Sequence, residues 1–456
     1  MAGISFELRK VLRERTLTSI AKAFGYSTLL SAGPYLISII TIILSYYLLS
    51  PFVVDKKIII QFQVIITYLV AFSLILTGFS QLMITRFIAD RIFEKKYNLI
   101  LPNLVGNMVL NMGLGFITSF LFSLIFFKNQ GAIFILLFTF NFTIFCGLWI
   151  INIVLTSLKS YKFILFSFVL GYLAFLVVSI FLVRFGLNSL LFSFFIGQAL
   201  LFFMLFGYMV KNHYSDELFR FDFFNRDLIY ISLIFSGFLY NLGVWIDKFV
   251  FWFTPFTSVE VLGPIRASLV YDIPMFIAYI SIAPGMAVFF LKLEVEFAEY
   301  YDKYYKAVRE GATLQKIYEY GDDMILSARN VILDTMRIQG IAFIIFILFD
   351  VYLLKLFKIS LLYIPLLHVL MLGTYLQLIF MAVLAILNYF DRRIEAFISS
   401  ATFTITNFAF SLLTVFLGPY YYGYGLVFSL LVSILVSIIL LRRFLDEIHY
   451  NTFMLN

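Results

Sequence analysis

The chain has 456 residues, of which 62% are hydrophobic and 13% are charged. Soluble domains carry about 25% charged residues, and here uncharged runs longer than a membrane-spanning helix recur along the sequence. The composition therefore excludes a large water-soluble core and indicates a polytopic membrane protein. The net charge of +7 does not indicate nucleic acid binding, because the basic residues collect in short loops, where positive charge sets membrane topology.

The first half of the chain predicts a surface helix and six membrane spans. Residues 1–22 place apolar and charged side chains on opposite helical faces, which predicts a cytoplasmic amphipathic helix on the membrane surface. Span 1 lies within residues 23–54, and Gly33-Pro34 breaks or kinks it. Spans 2 to 6 are predicted at 58–85, 99–127, 131–157, 163–183 and 187–210. A polar link at 211–226 then divides the chain nearly in half.

The second half predicts six more spans, at residues 228–253, 268–291, 331–354, 361–387, 396–417 and 424–441. Twelve spans place both termini on one side of the membrane. Most of the 33 Lys and Arg residues fall on that side, so both termini are expected in the cytoplasm. We predict an all-α protein of the cytoplasmic (inner) membrane with two six-helix lobes, an N-lobe at 23–213 and a C-lobe at 214–456.

No motif for covalent chemistry is visible. The sequence has no HExxH, no paired cysteines, no GxxxxGK[ST] and no GxSxG, so zinc, P-loop and Ser-His-Asp chemistry lack support. We therefore expect no enzyme activity and no cofactor. His368, inside span 10, is interpreted as a packed, hydrogen-bonded group. The alternative, a membrane enzyme such as an acyltransferase, would use His368 as its catalytic residue.

Span 7 carries Asp247 and Lys248 side by side at membrane depth, where charge is costly and marks a functional site by default. Either residue could line an aqueous path for a polar substrate, or both could pair with other intramembrane groups. Successive helix positions point about 100° apart, so we expect only one of the two to face a cleft. Asn241, one and a half turns earlier, is assigned to the same path.

Other polar residues extend this hypothetical path. The Gly33-Pro34 break would line the opposite side of the cavity. Arg266 and Asp272 flank the start of span 8, and Glu260 lies in the loop before it. These three residues could form a charged rim at the outer mouth, or Arg266 could be an anchor at the membrane interface. In span 3, a polar stripe is more typical of contacts between helices than of a substrate ladder; its members are Asn103, Asn107 and Asn111.

The longest hydrophilic segment, residues 294–329, is predicted to be helical and cytoplasmic. It could be a simple extension of span 8 into water. Its tyrosines are more numerous than a solvated helix needs, so we favour a docking face for a cytoplasmic partner. The residues of that face are Tyr300, Tyr301, Tyr304 and Tyr305.

Three stretches resemble the PelG family of Pel exopolysaccharide exporters: Met-Ala-Gly-Ile-Ser-Phe-Glu-Leu-Arg-Lys at the start, Ser-Ala-Gly-Pro at 31–34, and Tyr-Asn-Leu-Gly-Val-Trp-Ile-Asp-Lys-Phe at 240–249. That family belongs to the multidrug/oligosaccharidyl-lipid/polysaccharide flippase superfamily, with two six-helix lobes around a central cavity. The resemblance implies export of a nascent amino-sugar polymer across the cytoplasmic membrane. It also implies a complex with the cytoplasmic glycosyltransferase PelF, which uses UDP-sugars, and with the membrane proteins PelD and PelE.

The resemblance transfers no site residue. A cationic polymer would favour carboxylates along its path, such as Asp247, Asp272 and Glu260. Two alternatives remain open at this point. One is an ion-coupled transporter of small molecules, drugs or lipid-linked oligosaccharides with the same fold. The other is a scaffold that supports a membrane polysaccharide synthase without transporting anything.

Overall fold

The computed structural model describes residues 17–53, 55–225, 230–356 and 358–454, and most of them are helical. The predicted amphipathic helix at 1–22 lies largely outside these ranges and stays a prediction. The first helices are α1 (Leu17–Ser31), α2 (Gly33–Leu49), α3 (Lys57–Phe93), α4 (Ile100–Phe126), α5 (Ala132–Ser157), α6 (Tyr161–Leu182), α7 (Leu187–Asn212) and α8 (Ile231–Phe253).

A short antiparallel hairpin separates α8 from the later helices and consists of β1 (Val259–Leu262) and β2 (Ile265–Ala267). The later helices are α9 (Leu269–Ile280), α10 (Ala283–Leu291), α11 (Ala298–Arg309), α12 (Leu314–Leu356), α13 (Ile364–Tyr389), α14 (Arg393–Leu417), α15 (Tyr424–Asp446) and α16 (Ile448–Met454). A π-helical turn, Lys292–Phe297, joins α10 to α11.

Among the described residues, eleven helices are long and apolar enough to cross a membrane. The number becomes twelve if Leu269–Ile280 and Ala283–Arg309, which meet at a bend of 43°, form one span. This agrees with the predicted all-helical fold of about twelve spans. The predicted break in span 1 is also present, because α1 ends at Ser31 and α2 begins at Gly33.

The chain forms two compact units that are not its two continuous halves. One unit comprises Met1–Gly33 and Val270–Asn456, and the other comprises Pro34–Leu269; we call them the C-terminal unit and the N-terminal unit. This differs from the division between residues 213 and 214 suggested by the sequence. Helix α1 belongs with the C-terminal helices, and α8 belongs with helices α2 to α7.

The N-terminal unit is organised around α3, which packs against α4, α5, α7 and α8. Where α6 crosses α7, a methyl group on Gly197 would lie 2.6 Å from the carbonyl oxygen of Gly171. Only residues without a side chain allow such an approach, and small residues are a common means of packing helices tightly within membranes.

In the C-terminal unit, α10 packs against α1 and α12, while α13, α14 and α15 pack against one another. The bend between α9 and α10 frees backbone groups that need partners inside a membrane. The side chain of Gln339 in α12 is the partner of two of these backbone groups. Its Oε1 accepts from Gly285 N at 3.0 Å, and its Nε2 donates to Ser281 O at 3.0 Å. Ser27 of α1 donates to Ala287 O at 2.8 Å.

The hydrophilic segment 294–329 is helical, as predicted. It comprises the end of the π-helical turn, α11 and the first turns of α12, which follow a turn where Gly311 has φ of +70°. Helix α16 covers part of this segment. His449 packs where Gly321 has no side chain, since a methyl group there would lie 2.5 Å from the imidazole.

Candidate functional site

The two charged side chains of α8 are buried and form hydrogen bonds with each other. Asp247 is 0% exposed and Lys248 is 4% exposed. Lys248 Nζ lies 3.1 Å from Asp247 Oδ1 and 3.2 Å from Oδ2, and it donates to Val244 O at 2.8 Å. Both side chains are held within the protein, and the expectation that one of them faces a cleft stays a prediction. The lysine side chain is long enough to curl back onto the neighbouring carboxylate, so the pair is neutral as a unit.

An amide network joins α8 to α3 one and a half turns from this pair. Asn241 Nδ2 donates to Leu74 O and to Gln81 Oε1, each at 3.1 Å. Gln81 Nε2 donates in turn to Thr77 Oγ1 at 2.9 Å. Asn241 was assigned to the path from its position alone, and the structure adds that its amide is already engaged with the adjacent helix.

Two glycines make this contact between α3 and α8 possible. A methyl group on Gly237 would lie 2.5 Å from Gly78 O, and a methyl group on Gly78 would lie 3.0 Å from the Cα atom of Phe238. The backbones of the two helices therefore touch. Any side chain at either position would push the helices apart and lengthen the bonds of Asn241.

The predicted outer rim is divided between the two units. Arg266 Nη1 lies 2.9 Å from Glu260 Oε1 across the β1–β2 hairpin, so these two residues form an ion pair. The hairpin is fixed to α3, since Tyr68 Oη donates to Arg266 O at 2.7 Å. Asp272 lies in the first turn of α9 and belongs to the C-terminal unit.

The break at Gly33-Pro34 falls at the boundary between the units, because Gly33 ends one stretch and Pro34 begins the other. Gly33 is buried and Pro34 is half-buried.

The polar stripe of span 3 makes contacts between segments of the N-terminal unit, which is the role that the sequence favoured. Asn103 exchanges hydrogen bonds with Asp222, and Asn111 accepts from Ser80 Oγ at 3.0 Å.

The predicted partner face is only partly available. Tyr304 is buried, and its hydroxyl lies 3.3 Å from Thr452 Oγ1 in α16. Tyr300, Tyr301 and Tyr305 are half-buried. A partner could therefore reach three of the four tyrosines named from the sequence, while Tyr304 holds α16 in place.

Sequence reasoning missed a buried carboxylate that pairs with His368. Asp350 of α12 is buried, and its Oδ2 lies 2.5 Å from His368 Nε2 in α13. The sequence contained a signal for this pairing. Asp350 and His368 are the same number of positions from Ile359, which lies in the turn between two antiparallel spans, so they can meet across it. His368 is thus hydrogen-bonded, as interpreted. The described part of the chain contains no group of three or more His, Cys, Asp or Glu residues that could hold a metal ion.

Comparison with known proteins decides the family. Residues 1–453 match the PelG family, described as "Putative exopolysaccharide Exporter (EPS-E)". The chain belongs to the PelG family. No curated protein sequence matches it. The family assignment agrees with the resemblance of the three stretches quoted above.

Solved structures of transporters share the fold of this PelG-family chain. One is an outward-facing multidrug resistance MATE family transporter of the MOP superfamily, with 13% identity, a TM-score of 0.67, and coverage of 93% of this chain and 96% of that one. Another is a MOP superfamily transporter from Pyrococcus furiosus, with 15% identity, a TM-score of 0.67, and coverage of 93% and 96%. The protein is therefore a multi-pass membrane protein with a transporter fold, in a family of exporters rather than enzymes.

Proposed function

We propose that this protein moves a Pel-type amino-sugar exopolysaccharide across the cytoplasmic membrane. The observation that carries the proposal is the match to an exopolysaccharide exporter family over residues 1–453. A transporter fold over 93% of the chain is consistent with it. In this proposal the protein catalyses no covalent step, and both termini lie in the cytoplasm.

In the proposed path, α8 contributes Asp247, Lys248 and Asn241. The two charges neutralise each other within 3.1 Å, which lowers the cost of holding them at membrane depth. Because Asp247 is buried beside Lys248, we assign it to shaping the wall of the path and holding the lysine, and direct contact with sugar would require the pair to open. The Gly33-Pro34 break is a second candidate for the path, because it would let the backbone bend there.

At the outer end of the N-terminal unit, Glu260 and Arg266 would form the rim, and Asp272 stays a separate candidate in the C-terminal unit. Glu260 is exposed while Arg266 is held by Glu260 and by Ser258 Oγ at 2.9 Å. The exposed carboxylate is thus the rim group best suited to meet an amine-bearing polymer.

We further propose that the protein acts within a complex that contains PelF, PelD and PelE. The candidate docking face is the half-buried set Tyr300, Tyr301 and Tyr305 of α11. Replacing Tyr300 and Tyr305 with alanine should reduce co-purification of the glycosyltransferase PelF with the full-length protein. Tyr304→Phe, which keeps the buried ring and removes only its hydroxyl, is the matched control. Unchanged co-purification in the double variant would contradict this docking face.

The decisive experiment measures secreted and intracellular amino-sugar polymer in cells that lack the protein and in cells that regain it. Polymer retained inside the deficient cells, with secretion restored by the wild-type chain, would support export. Normal secretion without the protein would overturn the proposal. Loss of polymer both inside and outside would favour the scaffold function, because synthesis itself would then depend on the chain.

A further inference from the structure

Helices α3 and α8 stack aromatic rings on each other in three successive pairs. The ring centroids are 4.6 Å apart for Tyr68 and Trp252, 5.0 Å for Phe72 and Phe249, and 4.0 Å for Phe79 and Phe238, with interplanar angles of 13–16°. The order of the partners shows that the two helices run antiparallel. We call these six rings the aromatic row.

The aromatic row extends along α3 and α8 for several helical turns. Tyr68 and Phe79 are eleven positions apart on one helix, a rise of about 16 Å, which is about half of the ~30 Å hydrocarbon thickness. Phe72 is 39% exposed and Phe79 is 37% exposed, so two of the three pairs present ring surface. The pair of Tyr68 and Trp252 is buried.

Polar groups border the aromatic row. Lys248 Nζ lies 5.8 Å from the ring of Trp245, which occupies α8 between Phe238 and Trp252. The indole nitrogen of Trp245 is a buried donor with no hydrogen-bond acceptor in the part of the chain that the structure describes. A helix surface that contacts only lipid needs apolar side chains of any shape. Parallel ring pairs are not needed for lipid contact, and neither are the Lys248 amine and the unsatisfied N–H donor of Trp245 beside them.

We propose that the two accessible pairs of the aromatic row, Phe72 with Phe249 and Phe79 with Phe238, form with Trp245 the surface on which sugar rings of the exported polymer stack; this rests on the proposed function. Pyranose rings expose C–H groups on one face, and these pack against the negatively polarised face of an aromatic ring. The protonated amine of an amino sugar is attracted to the same face. The ligand class is therefore an extended amino-sugar oligosaccharide.

Stacking also suits the movement of a polymer. Aromatic faces bind many rings in sequence without requiring one exact register, as stacking platforms do for single-stranded nucleic acids. A transport path needs several weak sites of this kind, because a chain held too tightly at one site could not advance. The two accessible ring pairs provide such sites.

The test replaces rings with leucine, which keeps apolar volume and removes the flat face. The variants are Phe79→Leu, Phe249→Leu and the double variant. The matched control is Phe163→Leu, which removes one ring of a stacked pair with Tyr208, 4.2 Å between centroids, elsewhere in the N-terminal unit. Protein abundance and thermal unfolding are measured for each variant, and the single variants replace the double variant if it does not fold.

Two readouts are used. The first is secreted polymer at equal protein abundance, and the second is binding of a β-linked glucosamine hexamer to the purified protein in nanodiscs, followed by tryptophan fluorescence. Two of the three tryptophans, Trp245 and Trp252, lie beside or within the aromatic row. We expect each leucine variant to weaken hexamer binding about fivefold or more, as loss of one stacking ring does elsewhere, with Phe163→Leu equal to wild type.

Leucine variants that bind the hexamer and secrete polymer like wild type would overturn the aromatic row as a sugar site and assign it to lipid contact. Failure of the wild-type chain to restore secretion would overturn the proposed function separately. In that case, hexamer binding that is lost in the leucine variants would still support the aromatic row as a sugar site. No hexamer binding by the wild-type protein would contradict it.

Discussion

Lys248 Nζ contacts both carboxylate oxygens of its chain neighbour Asp247, at 3.1 and 3.2 Å, and both side chains are buried. Breaking a buried ion pair leaves an uncompensated charge, which costs about 3–5 kcal/mol. We therefore expect Asp247→Asn alone to lower the thermal midpoint of the detergent-solubilised protein. A double change of Asp247→Asn with Lys248→Met removes both charges and should recover most of that loss.

This pair of variants separates a structural role from a functional one. If the double variant folds at normal abundance but does not secrete polymer, the charges serve transport. If it both folds and secretes normally, the pair is only structural, and the assignment of Asp247 and Lys248 to the path is wrong. A single variant could not decide this, because reduced secretion would also follow from reduced folding.

The backbone contact between Gly78 and Gly237 makes a second prediction. A methyl group on Gly237 would lie 2.5 Å from the oxygen of Gly78, so Gly237→Ala must separate α3 from α8. We expect a loss of stability of about 1–3 kcal/mol from overpacking, together with weaker bonds between Asn241 and Gln81. Thermal unfolding in detergent measures the loss.

Gly207→Ala is the matched control for this substitution. Gly207 lies in α7, and a methyl group there meets nothing within 4 Å. Alanine is also the better helix former by about 1 kcal/mol. Gly207→Ala should therefore leave the midpoint unchanged or raise it. Equal midpoints for the two variants would show that the contact between α3 and α8 is not tight.

The contact between Asp350 and His368 predicts the outcome of the enzyme test. Because Nε2 of the imidazole is engaged with the carboxylate at 2.5 Å, we assign the pair to holding α12 against α13. We expect His368→Ala to reduce stability and to leave polymer secretion per folded molecule unchanged. Loss of secretion from a normally folded His368→Ala protein would contradict this structural role and revive a catalytic one.

A double-mutant cycle measures the coupling of this pair. Single changes Asp350→Leu and His368→Leu should each cost more than half of what the double change costs, since the double variant leaves no buried polar group without a partner. Purely additive losses in thermal unfolding would show that the two side chains act independently.

The membrane spans could be predicted because they depend on one property, the length of an uncharged apolar run. The run predicted at 187–210 is a helix at Leu187–Asn212, and the run at 361–387 is a helix at Ile364–Tyr389 preceded by one 3-10 turn. The break at Gly33-Pro34 was predictable for a different but equally local reason, since proline removes a backbone donor wherever it stands.

The grouping of helices and the pairing of side chains could not be predicted in this way. The assignment of α1 to the unit of Val270–Asn456 depends on contacts such as Ser27 to Ala287, which are 260 positions apart. Lys248 and Asp247 bond because lysine folds back along its own helix, which depends on its conformation and not on sequence spacing. The hairpin that joins Arg266 to Glu260 is too short to show an alternating pattern.

The bend between α9 and α10 provides the last prediction. Gln339 satisfies both Gly285 N and Ser281 O at 3.0 Å, and a methyl group on Gly285 would lie 2.4 Å from its Oε1 atom. Gln339→Ala leaves a backbone donor and acceptor without partners in a buried site, at a cost of about 1–3 kcal/mol for each group. We expect a clearly lower thermal midpoint and faster hydrogen exchange of the Gly285 amide.

Gln315→Ala, at an exposed position of the same helix, is the control and should change neither the thermal midpoint nor the exchange of Gly285. Equal exchange of Gly285 in both variants would mean that the bend does not depend on Gln339, and that α9 and α10 hold their angle by packing alone.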